Sequence, residues 1–565
     1  MTDYNEEPFT PFESIGLCFS GGGYRATFFA LGVVSYLNKI KYKEVSLLEN
    51  VEALSTVSGG TLLGVAYSKA TQEPDFNFEL FFKKFYSLFE PENDQLLKTA
   101  ISKLEDDEVW RKNPYKKRSL INAFALTYAE MDIFKGDFKL FKNTTSKHLK
   151  HVCFNATDFS FGLAFRFQNT GLFGNKILNN SHINKLKYNI ELGDIVASSS
   201  CFPLGFEPLI FPDDYFKNQN TTDYKSLKSL DRFINGVGIM DGGITDNQGI
   251  GSMMNISEQS SRKRRLDLII INDVGTFKME PWESDTSSIN NGLSLKHNVS
   301  KILNYFEIKP LYWLILLFGI SIIVLNSLEL INNTAWVSLY ILGSIITGIG
   351  LTLTFLGIIT GIAKKVGASW FSNIFKKNVP KVILDDLVSF NNLNINLVQR
   401  MLKDRVTSSV KMVNEIFLIQ IRRLNYDLLY TKPSIKNKII ASTVYELNGK
   451  KTAYTNTFKY NRAIEPAPSK LLKSIGLTAS ETPTTLWWDK TDIAKNRMDT
   501  LISCGQFTTC YKLLDYILEL KKDAEIQNID TVAIDKLYKL LLEDWKSFNE
   551  NPLFMVEKLK ANEND

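Results

Sequence analysis

Three short motifs in this chain hold residue types that do chemistry. Residues 20–25 read Ser-Gly-Gly-Gly-Tyr-Arg. Consecutive glycines turn the backbone tightly and leave N–H groups exposed; at a helix N-terminus such donors converge on negative charge. The loop suits a phosphate or an oxyanion. It lacks the Lys-Ser/Thr ending of a P-loop and the G-x-G-x-x-G spacing of a dinucleotide site. Residues 55–60 read Ser-Thr-Val-Ser-Gly-Gly. A nucleophile elbow is G-x-S-x-G, in which small neighbours let a strained serine protrude over a sheet. Ser58 takes the serine place and Gly60 the last glycine, while the β-branched Thr56 stands where the first glycine belongs and crowds the elbow. The plainer alternative is that Ser58 caps a helix. Residues 240–247 read Met-Asp-Gly-Gly-Ile-Thr-Asp-Asn. Asp241 follows a plausible strand and would sit at a sheet edge near the elbow. Asp246 competes, but its place before Asn247 suggests a turn or cap, so Asp241 is the preferred base.

Each motif needs an element to position it. Residues 15–20, IGLCFS, form a short apolar strand running into the glycines, and ATFFALGVVSYLNKI beyond them has helical periodicity. VEALSTVS is a strand ending in the second motif, followed by the helical GTLLGVAYSKA. NGVGIM runs into Asp241-Gly242-Gly243, and residues 266–273, LDLIIIND, are a largely apolar strand. Strands alternating with helices argue for an α/β layered sheet. Residues 385–430 and 490–565 look helical, the latter ending in a charged tail, and residues 439–447 suggest one more strand.

Composition narrows the functions. With 565 residues, 44% hydrophobic and 22% charged, most of the chain can bury a core. A net charge of +5 is too weak for a dedicated nucleic-acid binder, so no nucleic-acid partner is expected. The five cysteines, Cys18, Cys153, Cys201, Cys504 and Cys510, form no CxxC pair; neither zinc nor a disulfide framework is expected. The four histidines are His148, His151, His182 and His297. His148 and His151 have no acid at metal spacing beside them, so no metal site is expected.

The N-terminus, MTDYNEEPF, has no apolar run, so no signal peptide is expected. Residues 311–328 and 335–363 carry no charged side chain. A membrane span needs about 20 apolar residues, and two such runs separated by a few polar residues suit a transmembrane hairpin. The connection, residues 326–334, contains Glu329 and no Lys or Arg. Lys296, Lys301 and Lys309 lie before the pair, and Lys364, Lys365, Lys376 and Lys377 after it. Positive residues stay cytoplasmic, so both soluble parts should face the cytoplasm. Residues 80–89, LFFKKFYSLF, are amphipathic and could grip lipid, although an ordinary core-facing helix is the stronger expectation. The basic run at residues 262–265 suits a solvated loop or anionic headgroups, and Asp273 reads as structural.

Together the three motifs resemble the patatin-like phospholipase family. Gly21, Gly22, Gly23 and Arg25 match its G-G-G-x-[KR] oxyanion loop, Ser58 its elbow except at Thr56, and Asp241, Gly242 and Gly243 its D-G-[GA] block. FNATD at residues 154–158 and ASSSCFPLGFEPL at residues 197–209 look similar too. The resemblance covers roughly residues 12–280, with a weaker likeness to larger bacterial members around residues 390–430 and at Gly505. It implies a three-layer α/β/α sandwich; the two-helix transmembrane hairpin, read from the uncharged runs and not part of the core family pattern, would be inserted into the chain ahead of a C-terminal helical region. It also implies a Ser–Asp dyad working without histidine: Ser58 as nucleophile, Asp241 as base, and the N–H groups of Gly21, Gly22 and Gly23 as the oxyanion hole. Arg25, Gly60 and Gly242 would support the site, Arg25 bracing the loop or anchoring lipid phosphate.

The expected organisation is a catalytic core at 1–285, a linker at 286–310, the hairpin at 311–363, a mixed, largely helical region at 364–480 and C-terminal helices at 481–565. The expected function is a cofactor-free, membrane-anchored lipid acyl hydrolase. Its partners would be membrane phospholipid or lysophospholipid and the bilayer itself, with the catalytic domain and both termini on the cytoplasmic side of a bacterial inner membrane. A signal-activated effector that degrades its own membrane and a catalytically inactive membrane scaffold remain alternatives.

Overall fold

The computed structural model describes residues 10–258 except Leu204, 266–275, Trp282, 309–330, 336–355 with Ile358, 395–449 except Lys436, 460–522 and 529–561. The basic run at 262–265, His297 and the lysines at 296, 301, 364, 365, 376 and 377 lie outside those residues. The residues fall into two compact units, one of Met1–Glu280 with Val413–Asp565 and one of Pro281–Met412.

The first unit is built on a sheet of β1 (Ile15–Phe19), β4 (Val51–Val57), β5 (His151–Asp158), β6 (Leu163–Gln168), β7 (Leu209–Phe211), β8 (Val237–Asp241), β9 (Leu268–Asp273) and β10 (Ile439–Thr443). The short strands β2 (Lys41–Tyr42) and β3 (Val45–Ser46) form a separate hairpin. Strands β10, β9, β1, β4 and β5 run parallel in that order. Their apolar runs fit a sheet buried on both faces. Along β1, Ile15, Leu17 and Phe19 join the larger hydrophobic cluster, while Cys18 points into the smaller one on the other face. Likewise Leu268 and Ile270 of β9 enter the larger cluster, and Ile269 and Ile271 the smaller.

The larger cluster takes up α1 (Gly23–Lys39), α2 (Gly59–Ala70), α3 (Phe78–Phe89) and α4 (Leu192–Ser199). A four-residue helix, α5 (Gly243–Asp246), follows β8, and α6 (Ile250–Glu258) packs into the smaller cluster. This is a mixed α/β sheet with central parallel strands flanked by helices. On α3, Phe81, Phe82, Phe85 and Phe89 are buried. The lipid-gripping reading of this helix is therefore corrected: its aromatic face is core.

In the second unit, α7 (Pro310–Ser327) and α8 (Val337–Phe355) are each long and apolar enough to cross a membrane. They approach through glycines. A Cβ on Gly350 would lie 2.7 Å from the Leu316 Cα, and one on Gly319 would lie 2.6 Å from the Thr347 N. Close backbone approach through small residues is how helices associate in lipid. Asn326 closes the turn: its Nδ2 donates to the Trp336 carbonyl at 3.0 Å and its Oδ1 accepts from the Trp336 N–H at 3.1 Å. Leu314, Phe318, Val337 and Phe355 project outward, exposed. The described part of the second apolar run ends at Phe355, with Ile358 beyond it.

Back in the first unit, α9 (Leu418–Thr431) is tied to the end of β9. Its Arg422 Nε and Nη2 each lie 2.7 Å from the Asp273 Oδ2, and the Tyr426 hydroxyl donates to the same oxygen at 2.9 Å. The long helix α10 (Arg497–Lys522) crosses α1 at two glycines. A Cβ on Gly505 would lie 2.1 Å from the Phe29 carbonyl oxygen, and one on Gly32 would lie 1.9 Å from that of Ile502. The C-terminal helices are thus part of the same core as the three motifs.

Candidate active site

Strand register brings the second and third motifs together. β6 runs antiparallel along one edge of β5 from Cys153 to Asp158. On the other edge β4 pairs with residues up to Asn155, and β8 pairs with Ala156 to Asp158. The ends of β4 and β8 therefore meet: Val57 lies opposite Asn155, and Asp241 opposite Ala156. Ser58 follows Val57 directly.

Ser58 holds φ 49° and ψ −124° at the start of α2. An L-residue adopts this backbone only under constraint, at a cost of about 1–3 kcal/mol. Its side chain makes no capping hydrogen bond, so Ser58 is not spent as a helix cap. Neighbouring glycines permit the turn. A Cβ on Gly60 would sit 2.7 Å from the Ser20 carbonyl oxygen, and one on Gly59 would sit 2.0 Å from that of Gly23.

Thr56 is accommodated, not tolerated as a defect. Opposite it on α2 stands Gly64, where a Cβ would lie 2.5 Å from the Thr56 Cγ2. The missing side chain has moved from one strand position to the facing helix. The threonine hydroxyl joins a buried chain: Thr56 Oγ1 lies 2.9 Å from Thr61 Oγ1, which lies 2.8 Å from Ser199 Oγ. Ser199 donates to the Asn155 carbonyl at 2.6 Å and accepts the Ser58 N–H at 2.9 Å. This network grips the backbone of the strained residue.

Asp241 lies beside Ser58 and is buried. Burial pushes its carboxyl up to about 6; the Ser58 hydroxyl and the Gly243 N–H, 2.7 Å from Oδ1, act in the opposite direction by stabilising the ionised form. Its own N–H donates to the Cys201 carbonyl at 2.9 Å and its carbonyl accepts from Thr157 Oγ1 at 2.8 Å. Gly242 is required by the close strand meeting, since a Cβ there would lie 2.5 Å from the Asn155 carbonyl oxygen. Asp246 is engaged elsewhere. Its carboxylate accepts from the Gly251 N–H at 2.7 Å and from Asn425 Nδ2 at 3.1 Å.

The glycine loop closes the third side. A Cβ on Gly21 would stand 3.1 Å from the Ser58 Cβ. The Gly21 N–H, however, donates to the Asn247 carbonyl at 2.8 Å. Three oxyanion donors were expected from the glycine run; this one is committed to holding the loop. Gly22 and Gly23 have φ of 138° and 53°. Among the described residues their N–H groups meet no backbone acceptor.

Arg25 is engaged by later segments of the chain. Its Nη1 reaches the Tyr445 hydroxyl at 3.2 Å and the carbonyls of Thr482 at 3.1 Å and Ser480 at 3.4 Å. It braces α1 against these later segments, so the phosphate-anchor alternative gives way to the support role. The described histidines have other partners: His148 meets Tyr67, His151 meets Thr170 and His182 meets Asp223.

The structure thus gathers Ser58, Asp241, Gly60, Gly242 and the glycine loop at one sheet edge. Sequence reasoning gave no role in the site to Ser199, Asn155 or Asn247, although all three lie in segments it singled out. A layered α/β sheet with this loop, turn and acid has the build of a lipid acyl hydrolase. Residues 17–254 match the family model of patatin-like phospholipase. No curated protein matches the chain.

Proposed function

We propose that the chain is a membrane-anchored serine lipid acyl hydrolase of phospholipase A or lysophospholipase type, working through a Ser58–Asp241 dyad. The observation that carries this reading is the strained, uncapped Ser58 beside a buried carboxylate whose pKa is raised to about 6. Ser58 Oγ attacks the ester carbonyl carbon while its proton passes to the Asp241 carboxylate. The N–H groups of Gly22 and Gly23 receive the tetrahedral oxyanion. As the intermediate collapses, the ester C–O bond breaks, and Asp241 returns the proton to the leaving alcohol. Water then attacks the acyl-serine, gives its proton to Asp241 and releases the fatty acid, and Ser58 regains its proton.

The two apolar helices support anchoring in the membrane that supplies the substrate, and the lysines flanking them in sequence support a cytoplasmic site. The test is fatty-acid release from phospholipid vesicles by detergent-purified protein. Wild type should be active and Ser58→Ala inactive; equal activity in the two would sink the proposal.

A further inference from the structure

Because β8 ends where β4 ends, β5 and β6 run on past the dyad and form a hairpin beyond it. Phe159 lies three residues past Ala156, about 10 Å further along the strand. At the tip, Phe159 is 60% exposed and Phe161 42% exposed, with Leu163 beside them. Ile234, at the entrance to β8, is 54% exposed, and Phe202, next to the Cys201 carbonyl that holds the Asp241 N–H, is 39% exposed. A single exposed apolar residue is ordinary, but several grouped at one edge mark an interaction surface.

The tip is also stiff. Buried Asp158 accepts the N–H groups of Ser160 at 2.9 Å and Phe161 at 3.0 Å through Oδ1, and Asn175 Nδ2 holds its other oxygen at 2.9 Å. The Phe159 N–H donates to the Gly238 carbonyl at 2.8 Å. A buried carboxylate is spent on presenting two phenylalanines to the outside. Behind the tip, an apolar groove of about 550 Å³ runs from Phe159 and Leu163 to Ile244, three residues after Asp241. The exposed apolar surface is continuous with the edge that carries the dyad.

We propose that this hairpin is a lipid-docking surface: Phe159 and Phe161 enter the acyl layer of a phospholipid bilayer and bring the sheet edge down onto its substrate. The proposal rests on the hydrolase reading for its purpose, not for its test. It is argued from the first unit alone, independently of the two apolar helices.

All five native cysteines are buried, so Phe161→Cys can be labelled selectively with a fluorophore in the full-length protein. Lys150→Cys, exposed just before the opposite end of β5, is the control. Both are reconstituted into phosphatidylcholine–phosphatidylglycerol vesicles with nitroxide on the acyl chains. Docking predicts quenching by more than half at position 161 and none at position 150. Equal quenching at the two positions, or none at 161, overturns it; a tip covered by another protein segment gives the latter. Paired with this, Phe159→Ser/Phe161→Ser should lower the ratio of vesicle to water-soluble short-chain ester hydrolysis at least tenfold, and an unchanged ratio also overturns it. A chain that hydrolyses neither substrate refutes the hydrolase reading, while the quenching still decides the docking.

Discussion

At Ser58 the backbone bears strain and the hydroxyl caps no helix, and at Asp241 burial raises the pKa of the carboxyl beside it. The pKa near 6 sets two pH dependences. A base must be ionised, so kcat/KM should rise with pH through about 6 and level off above it, a profile measurable on a soluble ester. Stability should move the other way. The unfolded carboxyl titrates near 3.9, so between about pH 4 and 6 the folded state holds a proton the unfolded state has lost. Wild-type stability should therefore fall as pH rises through that window, by at most about 3 kcal/mol. Asp241→Asn should lack this fall, so the two melting curves should separate above pH 6 and converge below pH 4; parallel curves would contradict the raised pKa. The residue types of the site were legible because glycines and a serine in fixed order have few other uses. The commitment of the Gly21 N–H was not, because its acceptor, the Asn247 carbonyl, lies 226 residues away along the chain.

Between elements, close packing is written in glycines that face something specific. Thr56 looked like a departure from the elbow pattern, and only the register of α2 on β4 reveals Gly64 as its counterpart. Gly64→Ala should destabilise the protein by about 1–3 kcal/mol through overpacking against Thr56. Adding Thr56→Ser removes the nearest methyl group while keeping the hydroxyl, so the double variant should recover part of the loss; strict additivity in denaturant unfolding would refute the coupling. Arg422→Ala should cost about 3–5 kcal/mol, because it strands Asp273 as an uncompensated buried charge. The parallel strands could be read from their apolar runs. The short antiparallel strand β7 could not, since three residues carry too little pattern to separate a strand from a turn.

Over the whole molecule, a patatin-like domain is combined with two helices suited to a membrane. Their outward leucines and phenylalanines follow directly from two uncharged runs, which is why this feature was legible without any fold. The chain should stay with membranes through an alkaline carbonate wash. Phe318→Arg with Leu314→Arg should release it, since each charge at mid-bilayer costs about 2.5–3.5 kcal/mol on insertion scales. The built-in position of α10 across α1 was not legible, because a glycine in a helix reads as a weakness until its partner helix is seen. The most direct measurement is trapping of Ser58 itself: incubate the purified full-length chain with a fluorophosphonate probe and identify the modified residue by mass spectrometry. Labelling at Ser58, lost in Ser58→Ala and slowed at least about 10²-fold in Asp241→Asn, is the expected result. Labelling elsewhere, or none while the chain still releases fatty acid, would contradict the dyad.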